Sequence, residues 1–440
     1  MPSTSLGDAK NCCNALEDVS APVSPTHGWA DCPSPSPVCS ERADPRRRVG
    51  PGVNPVELEI VRELDRFLHL ELSWNLLLGQ SRHDELFLRH EWLRCWWKAF
   101  GKSSKLFVHV LRDGGNLLGA APLMIRFGMY RGLPARVVSF MENHNTFRSD
   151  FLYAPGNDAF VDLVVRFLLQ HRAEWDLVEL NNIPDDSPTC ERLLMATKKH
   201  GLFCHARPGL RSPFIEFEKC WSDYIASKSR KIKKTMNNWR NRLSRRGNTE
   251  FEEVRDFGDP DRRLDRLFQI SEVSWKGAHG RSMGGDRKNR LFFRLLNRVA
   301  VERKWLHIWL LRLDGRPVAF EYHLRYNGTE LGLRSDFDEN LRDVSPGSNL
   351  DAYIVQRLFE EKIHKYDMGG GCDPYKVRWT DNCRRHTCFL IFGSHMYARL
   401  LQCMDVCVAE YFKRFPRMVQ LVKHVRRIAS GFNRLTPGNQ

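Results

Sequence analysis

Two tight-turn dipeptides constrain this chain more than any other feature of its sequence. Asp314-Gly315 and Asn327-Gly328 lie between runs in which apolar and polar residues alternate. Such dipeptides accept the positive φ angles of two-residue hairpin turns, so the runs that they join are predicted to form an antiparallel meander. The three predicted strands are residues 308–313, 317–326 and 331–336.

A candidate ligand-binding loop follows this meander. Ser345 suits the cap of a helix, and Pro346 suits its first position. Gly347 has no side chain to block a ligand that approaches the backbone. The N–H groups of Gly347, Ser348 and Asn349 are expected to lack intrahelical partners where the helix dipole is positive, which suits a pyrophosphate. From the tripeptide alone, a plain capped helix remains the alternative.

The two halves of the chain show the same order of elements. In the second half, the meander precedes a helix that ends near residue 364 and a strand at 366–368. In the first half, a hairpin over residues 106–127 precedes a helix at 159–170 and a strand at 176–180. We therefore predict an α/β (α+β) fold with two similar domains, each a mixed twisted sheet flanked by helices.

Apolar residues at helical spacing predict further helices. These segments are residues 56–68, 84–100, 221–246, 264–276 and 291–302.

Composition sets the predicted domain boundaries. At 440 residues and 42% hydrophobic, the chain has enough apolar material for two cores. Residues 1–55 are rich in Pro and Ser and are predicted to be a disordered tail. We expect an N-terminal domain at 56–215, a C-terminal domain with the cofactor site at 216–395, and a basic helical tail at 396–440.

The sequence shows neither an apolar run of the ~20 residues that a membrane span requires nor a secretory signal pattern. We therefore expect a cytoplasmic protein, with peripheral attachment to the inner membrane surface as an alternative. The net charge of +15 favours acidic partners such as phosphate-bearing cofactors. The sequence predicts no oligomeric state.

Motifs in the second half resemble those of a known family. The motif residues are Ser345-Pro346-Gly347 with Leu350, Asp367-Met368-Gly369-Gly370, Tyr375-Lys376 with Trp379, and Trp275-Lys276. They are similar to acetyltransferases of the GNAT superfamily, in the branch associated with bacterial cellulose and exopolysaccharide biosynthesis. That branch is similar to the Fem-type aminoacyltransferases, which carry two GNAT-like domains. The resemblance covers roughly residues 86–392 and is specific in the second half.

The resemblance implies tandem GNAT-like domains and a CoA thioester, usually acetyl-CoA, as co-substrate. Its pyrophosphate would lie at the Ser345-Pro346-Gly347 loop. The equivalent place in the first half, residues 145–150, has neither Pro nor Gly. We therefore expect one cofactor site, in the second domain, with the first domain shaping the acceptor cleft.

Acyl transfer from a thioester needs a base for the acceptor, stabilisation of the carbonyl oxygen and protonation of the thiolate. Asp336, Glu321 and Asp367 are the candidate bases, with Asp336 slightly favoured because it ends a strand beside the loop. Backbone N–H groups near residues 333–335 are candidates for the oxyanion. Turn formation is the alternative role of Asp336.

Two candidate catalytic residues follow three successive glycines at 369–371. The Tyr375 hydroxyl is a candidate proton donor to the thiolate, and the Lys376 ammonium is a candidate ligand of a phosphate or oxyanion. A surface turn with a solvated lysine is the alternative. The glycines permit close backbone approach or a sharp bend.

The cysteines predict neither a disulfide framework nor a metal. Thirteen is an odd number, and the spacing indicates reduced thiols. Cys372, Cys383, His386 and Cys388 are ligand types that zinc accepts, but the paired close spacing of zinc sites is missing. We expect ordinary thiols and no metal.

Two basic segments suggest anionic partners. The predicted helix at 221–246 carries nine basic residues from Lys228 onward, with no acidic residue among them. Without a recognised nucleic-acid module, nucleic acid is the less favoured partner, and an anionic acceptor or membrane surface is preferred. The tail adds a basic amphipathic stretch that suits a lipid surface or docking on the body. Its basic residues are Lys413, Arg414, Arg417, Lys423, Arg426 and Arg427.

The sequence thus predicts an acyl-CoA-dependent N- or O-acyltransferase that acts on a sugar, polysaccharide precursor or related metabolite. One alternative is a Fem-type aminoacyltransferase that takes its acyl group from aminoacyl-tRNA, a substrate that the basic helix would suit. Another is a scaffold that kept the fold and lost the chemistry.

Overall fold

The computed structural model describes residues 57–255, 260–361 and 363–414. The predicted N-terminal tail, including Arg46-Arg47-Arg48, lies outside these residues, as does the basic stretch after Arg414. Within the described residues, the structure contains fifteen strands, thirteen α-helices and three short 3₁₀ helices.

The strands of the described residues are β1 Glu57–Val61, β2 Ser104–Leu106, β3 Val108–Asp113, β4 Asn116–Ala121, β5 Leu123–Tyr130, β6 Leu133–Phe140, β7 Leu152–Tyr153, β8 Leu177–Pro184, β9 Cys204–Glu216, β10 Thr249–Val254, β11 Leu306–Leu313, β12 Arg316–Tyr326, β13 Thr329–Phe337, β14 Lys365–Asp367 and β15 Cys383–Phe392.

The α-helices are α1 Leu64–Leu68, α2 Glu71–Gln80, α3 His90–Phe100, α4 Phe160–Gln170, α5 Pro188–Lys199, α6 Trp221–Ser227, α7 Arg230–Ser244, α8 Pro260–Glu272, α9 Trp275–Ala278, α10 Arg287–Glu302, α11 Pro346–Glu360, α12 Pro374–Val377 and α13 Met396–Arg414. The 3₁₀ helices are Leu86–Leu88, Gly101–Ser103 and Glu339–Val344.

A mixed sheet of eleven strands runs through both halves of the chain. Its strand order is β10-β11-β12-β13-β14-β9-β15-β8-β6-β5-β2, and a second sheet has the order β1-β3-β4-β7. Helices pack against these sheets, so the predicted mixed α/β fold class is confirmed.

The predicted repeat of elements is present in both halves. In the first half, β6 leads through α4 to the parallel strand β8. In the second half, β13 leads through α11 to the parallel strand β14. The last strand, β15, pairs with β8 on one side and β9 on the other, so the end of the chain completes the sheet of the first half.

One of the apolar core clusters contains residues of both halves. Trp92 on α3 and Phe292 on α10 are fully buried, and their ring centroids lie 5.2 Å apart in an edge-to-face contact. Burial of such a side chain contributes roughly 1.5–3 kcal/mol, so this contact fixes one half against the other. The apolar residues of the segment 84–100, which was predicted to be helical, therefore pack mainly in this core.

Several predicted helix bounds are wrong. Residues 57–61 form strand β1, because pairing with β3 overrides the local helical pattern. The helix predicted at 84–100 begins at His90, after a 3₁₀ turn. The helix predicted at 221–246 breaks at Lys228, which is extended, and restarts where the Ser229 hydroxyl caps the Ile232 N–H.

In the described part of the chain, no helix is both long and apolar enough to cross a membrane.

Candidate functional site

A gap between β13 and β14 creates the site. The two strands pair over only three residues, Thr329–Leu331 against Lys365–Asp367. Beyond this point β13 continues to Phe337 without β14 beside it. The β12–β13 register also shifts after Tyr322, which leaves Leu333 without a cross-strand partner. Such a bulge re-aims backbone groups, and it lies where residues 333–335 are candidates for the oxyanion.

The start of α11 faces this gap. Pro346 occupies the first helical position as predicted, whereas the Ser345 side chain makes no capping hydrogen bond. Ser345 instead adopts a left-handed conformation, with φ of 54°, and turns the chain sharply into the helix. Gly347 and Ser348 lie in the first turn and line the cavity described below.

The prediction that the Asn349 N–H lacks an intrahelical partner is wrong. Its N–H donates to the Ser345 carbonyl at 3.1 Å, because Asn349 is already far enough into the helix to find an intrahelical partner. Its buried side-chain amide donates to the carbonyls of Val344 and Ser345. Asn349 therefore shapes the turn, and the candidate phosphate donors reduce to the first helical turn.

A cavity of about 480 Å³ fills the gap between β13, α11 and α12. Three of its lining residues, His144, Asn145 and Phe147, come from the first half of the chain. The first half thus contributes to the cavity wall, and its role in an acceptor cleft stays a prediction. The size suits part of a cofactor together with a small acceptor group.

Glu321 lines this cavity at the end of a charged cluster on β12. Its Oε2 lies 2.9 Å from the Nε2 atom of His323 and 3.4 Å from the Tyr366 hydroxyl. Burial opposes a charge on His323, but hydrogen bonds to Glu321 and Glu330 outweigh it and raise the His323 pKa to about 9. A His323 imidazolium thus lies within hydrogen-bond distance of Glu321 inside the protein.

Asp351 is a second carboxyl group on the cavity wall, one turn along α11. One of its oxygens accepts from the Trp379 indole N–H, and the other is buried without a hydrogen-bond partner among the described residues. Burial and the nearby charge of Glu321 raise the Asp351 pKa to about 8. Glu321 and Asp351 are thus two carboxyl groups on one cavity with different surroundings.

Asp336 lines the cavity but is held by neighbouring groups. It accepts from the Ser271 hydroxyl at 2.6 Å and forms ion pairs with Lys276 at 3.0 Å and Arg334 at 3.1 Å. Its side chain is fully buried. These contacts suit a residue that anchors β13 to α8 and α9 better than one that accepts a proton from a substrate.

Tyr375 and Lys376 both line the cavity, from the single-turn helix α12. Lys376 is buried, and its ammonium donates to the Gly370 carbonyl at 2.8 Å. Burial lowers the Lys376 pKa and raises that of Tyr375 well above its ordinary value, so the tyrosine hydroxyl keeps its proton. The surface-turn alternative is therefore wrong for Lys376.

The glycines before α12 allow the close approach that the sequence predicted. Gly369 has φ of 76°, and a Cβ atom there would lie 2.5 Å from the Gly332 carbonyl oxygen. It would also lie 2.7 Å from the ring of Phe147 in the first half. A side chain at Gly369 would push α12 away from the cavity.

Asp367 does not line the cavity. It is buried, pairs with Arg148 of the first half, and accepts from the Gly369 N–H at 2.9 Å. Arg148 also bonds Glu85 at 2.9 Å. Asp367 is therefore placed to hold the glycine segment and to join the two halves.

The cysteine and histidine cluster of the sequence does not assemble. The sulfur atoms of Cys372 and Cys383 lie 3.6 Å apart, while His386 bonds the Leu210 carbonyl and Cys388 contacts Asn182. All cysteines of the described residues are free thiols.

Sequence reasoning missed Asp351, His144 and Asn145. Asp351 had a signal, because it lies on the apolar face of α11 between Leu350 and Ile354, where an acidic residue has no packing role. No sequence signal pointed to His144 or Asn145, because only the fold brings these residues of the first half next to the second half.

The gap, the helix start and most of the buried titratable groups around the cavity lie in one segment of the chain. Residues 230–377 match the family model described as an acetyltransferase (GNAT) domain. No curated protein matches the chain. The matched segment contains β13, α11 and α12, so it covers most of the cavity and makes the second half GNAT-like.

Several solved structures are similar in fold. FemX is 12% identical, with a TM-score of 0.49, over 78% of this chain and 99% of that one. The C-terminal domain of a putative lysylphosphatidylglycerol synthetase from Agrobacterium fabrum is 16% identical, with a TM-score of 0.45, over 78% and 96%. A tandem GNAT protein from the clavulanic acid pathway is 10% identical, with a TM-score of 0.43, over 77% and 99%.

Proposed function

We propose that this protein transfers an acyl group from acyl-CoA, with acetyl-CoA as the usual donor, to an amine or hydroxyl group. The proposed acceptor is a sugar, polysaccharide precursor or related metabolite, as in the exopolysaccharide-associated branch of the GNAT superfamily. The observation that carries the proposal is the open gap between β13 and β14, which places a helix start and Glu321 on one cavity.

The cavity offers a place for each part of the thioester. The first turn of α11, at Gly347 and Ser348, presents helix N–H groups to the pyrophosphate. Arg378 adds a cation there, since its guanidinium lies 3.4 Å from the Ser348 hydroxyl. The unpaired stretch of β13 leaves backbone N–H groups for the carbonyl oxygen of the acyl group.

We assign the base to Glu321 in preference to Asp336. Glu321 lines the cavity and accepts a hydrogen bond from the His323 imidazolium, whereas Asp336 is occupied by Lys276, Arg334 and Ser271. A base must be both ionised and within reach of the acceptor proton.

We assign the proton donor for the departing thiolate to Tyr375, whose hydroxyl stays protonated in its buried position. The Lys376 ammonium stands beside it and stabilises negative charge on the thioester oxygen or the thiolate. Asp367 takes a positioning role, through the Gly369 N–H.

Calorimetry with acetyl-CoA and intact-mass detection of acylated product test this function. We expect binding of acetyl-CoA, and a product with one added acetyl group from a panel of amino sugars, polyamines and sugars. The full chain should be used, because β15 completes the sheet of the first half. Binding of acetyl-CoA without any acylated product would favour the catalytically inactive scaffold. Absence of both binding and product would contradict the proposed function.

A Fem-type aminoacyltransferase is the second candidate, and the exposed basic face of α7 favours it. The exposed basic residues of this helix are Arg230, Lys231, Lys234, Arg240 and Arg242. α7 packs against α11. Near the start of α11, the Arg378 guanidinium carbon lies 4.6 Å from the centre of the Trp239 ring on α7. Filter binding with aminoacyl-tRNA discriminates the two, since retention at physiological salt without retention of acetyl-CoA would favour the second.

A further inference from the structure

One large aromatic side chain on the cavity wall is exposed to solvent. Trp275 is 45% exposed and lines the cavity from the single-turn helix α9. Every other tryptophan of the described residues is buried or partly buried. An indole face left in water forgoes the stabilisation that burial of apolar surface provides. Trp275 therefore suits a surface that a bound molecule covers.

The turn that carries Trp275 is held on both sides of the indole. Before it, the buried Ser274 hydroxyl donates to the Ser271 carbonyl at 2.7 Å. After it, the Lys276 ammonium donates to the Ser335 carbonyl on β13 at 2.5 Å. The exposed indole thus belongs to a fixed turn, and a surface that is fixed before binding loses little conformational entropy when it binds.

Trp275 lies on the part of the cavity wall to which the first half contributes. The buried Asn145 amide donates to the side chain of Asn289 at 3.0 Å, which joins the loop of the first half to α10, the helix that follows Trp275 in the chain. His144 and Asn145 both line the cavity. This wall is built from other elements than the start of α11, where the pyrophosphate is proposed to bind.

Polar and charged groups surround this part of the wall. His144 is exposed, and its imidazole interacts electrostatically with the charges of Arg334, Arg281 and Asp286. Such groups include both donors and acceptors for the hydroxyl groups of a bound molecule. An apolar ring face beside a polar rim therefore favours a molecule that has one apolar face and polar edges.

The charges beside the indole restrict the class of that molecule further. An indole face attracts either a cation or a flat apolar surface. The Lys276 ammonium already lies 5.9 Å from the centre of the Trp275 ring, so a second cation on the ring would be repelled. The C–H face of a pyranose carries no charge and avoids this repulsion. Lys276 also interacts electrostatically with Glu321, which places the proposed base near the same wall.

We propose that Trp275 stacks on the pyranose ring of the acceptor and makes the protein specific for amino sugars over acyclic amines. The amino group then points to Glu321, and the hydroxyl edge of the ring lies beside His144. The inference rests on the proposed function, because it assigns the acceptor of the same cavity. The free amine and the thioester give an amide and a thiol. The N–C bond forms, the C–S bond breaks, and the nitrogen loses one proton while the thiolate gains one.

A pair of matched acceptors tests the role of the ring. Glucosamine and its reduced open-chain form, 2-amino-2-deoxyglucitol, carry the same amino group, but only glucosamine forms a pyranose. We expect a glucosamine KM at least about tenfold below that of the open-chain amine, which corresponds to about 1.4 kcal/mol. Trp275→Ala should raise the glucosamine KM about tenfold and leave KM for the open-chain amine and for acetyl-CoA within about twofold. Trp275→Phe keeps an aromatic face and should restore most of the glucosamine KM.

A second exposed aromatic residue supplies the control. Phe127 on β5 of the first half is 62% exposed and does not line the cavity, so Phe127→Ala should leave every KM as in wild type. Equal wild-type KM values for the two acceptors would overturn the inference, as would equal increases for both acceptors in Trp275→Ala. An increase in KM for acetyl-CoA alone would also overturn it, because Trp275 would then contact the cofactor.

Fluorine NMR tests the contact without turnover. In the full chain labelled with 5-fluorotryptophan, the Trp275 signal is the one that Trp275→Phe lacks. With CoA present, glucosamine should shift this signal at concentrations where 2-amino-2-deoxyglucitol does not. A Trp275 signal that does not respond to glucosamine overturns the inference. No acyl transfer by the wild type to any acceptor overturns the proposed function, while this titration still decides whether Trp275 binds the ring.

Discussion

Each half of the chain buries a histidine within a sheet, and the two histidines have opposite surroundings. His109 on β3 and His323 on β12 each lie within a sheet and are 0% exposed. Neither ring nitrogen of His109 has a hydrogen-bond partner among the described residues, and burial lowers its pKa to about 3. His323 lies between two carboxylates that raise its pKa to about 9.

The contrast extends to the helix that follows each meander. In the first half, Phe160 at the start of α4 packs so closely on β4 that a Cβ atom at Gly119 would lie 2.6 Å from its ring. In the second half, the start of α11 faces a cavity. The two histidines and the two helix starts therefore differ in the same sense, which supports the proposal that the chemistry lies in the second half.

The largest expected effect is the loss of the base. Glu321→Gln removes the proposed proton acceptor while keeping its shape, so kcat should fall by about 10²-fold or more in acetyl-transfer assays. Glu179→Gln on β8 of the first half, which breaks ion pairs with Arg126 and Arg207, should leave kcat within about twofold. Equal losses in the two variants would contradict the division between the halves.

The two histidines should give opposite pH dependences of stability. His323 binds its proton more tightly when folded, so its stabilisation is complete below pH ~6.5 and is lost as the pH rises toward 9. His109 excludes its proton when folded, so its contribution is lost as the pH falls from ~6.5 toward 3.

Urea unfolding from pH 4 to 9 measures both contributions. Relative to wild type, His323→Gln should remove a fall of about 3 kcal/mol in unfolding free energy on the alkaline side. His109→Gln should remove a fall of similar size on the acidic side. Parallel curves for wild type and both variants would refute the assigned charge states.

A negative charge at the α11 start should weaken cofactor binding. Ser348→Asp places a carboxylate where the pyrophosphate is proposed to bind, so the acetyl-CoA Kd in calorimetry should rise at least tenfold, or about 1.4 kcal/mol. Ala159→Asp puts the same charge at the exposed cap position of α4. That variant should bind acetyl-CoA as wild type does, and weakened binding there would place the cofactor elsewhere.

The smallest effect is expected from a substitution in the part of the cavity wall that the first half supplies. His144→Ala shortens a side chain on the cavity wall, so KM for the acceptor should rise severalfold while KM for acetyl-CoA stays constant. Initial rates with each substrate varied in turn separate the two constants. A larger change for acetyl-CoA would assign His144 to the cofactor side.

Local chemistry made the second meander and the helix start predictable. Asp314-Gly315 and Asn327-Gly328 turn as expected, and Pro346 begins its helix as expected. Such features depend on the φ angles and donors of a few adjacent residues, which the sequence states directly.

Pairing over long distances was not predictable from the chain. Nothing local distinguishes residues 57–61 from a helix until β3 lies beside them, and β9 and β15 gave no alternating pattern strong enough to recognise. The ion pairs of the site were equally unpredictable from the local sequence. The position of Asp336 at a strand end favours it as base, whereas its contacts with Lys276 and Arg334 depend on the fold.

The position of β15 has a consequence for how this chain is made. Because β15 fills the place between β8 and β9, the sheet of the first half stays incomplete until the ribosome has released residue 392. Until then β8 presents an open edge, which is a site for mispairing with other chains. Synthesis therefore couples the two halves: a nascent chain that ends after α12 contains the whole segment that matches the acetyltransferase domain but still lacks the strand that completes the sheet of the first half.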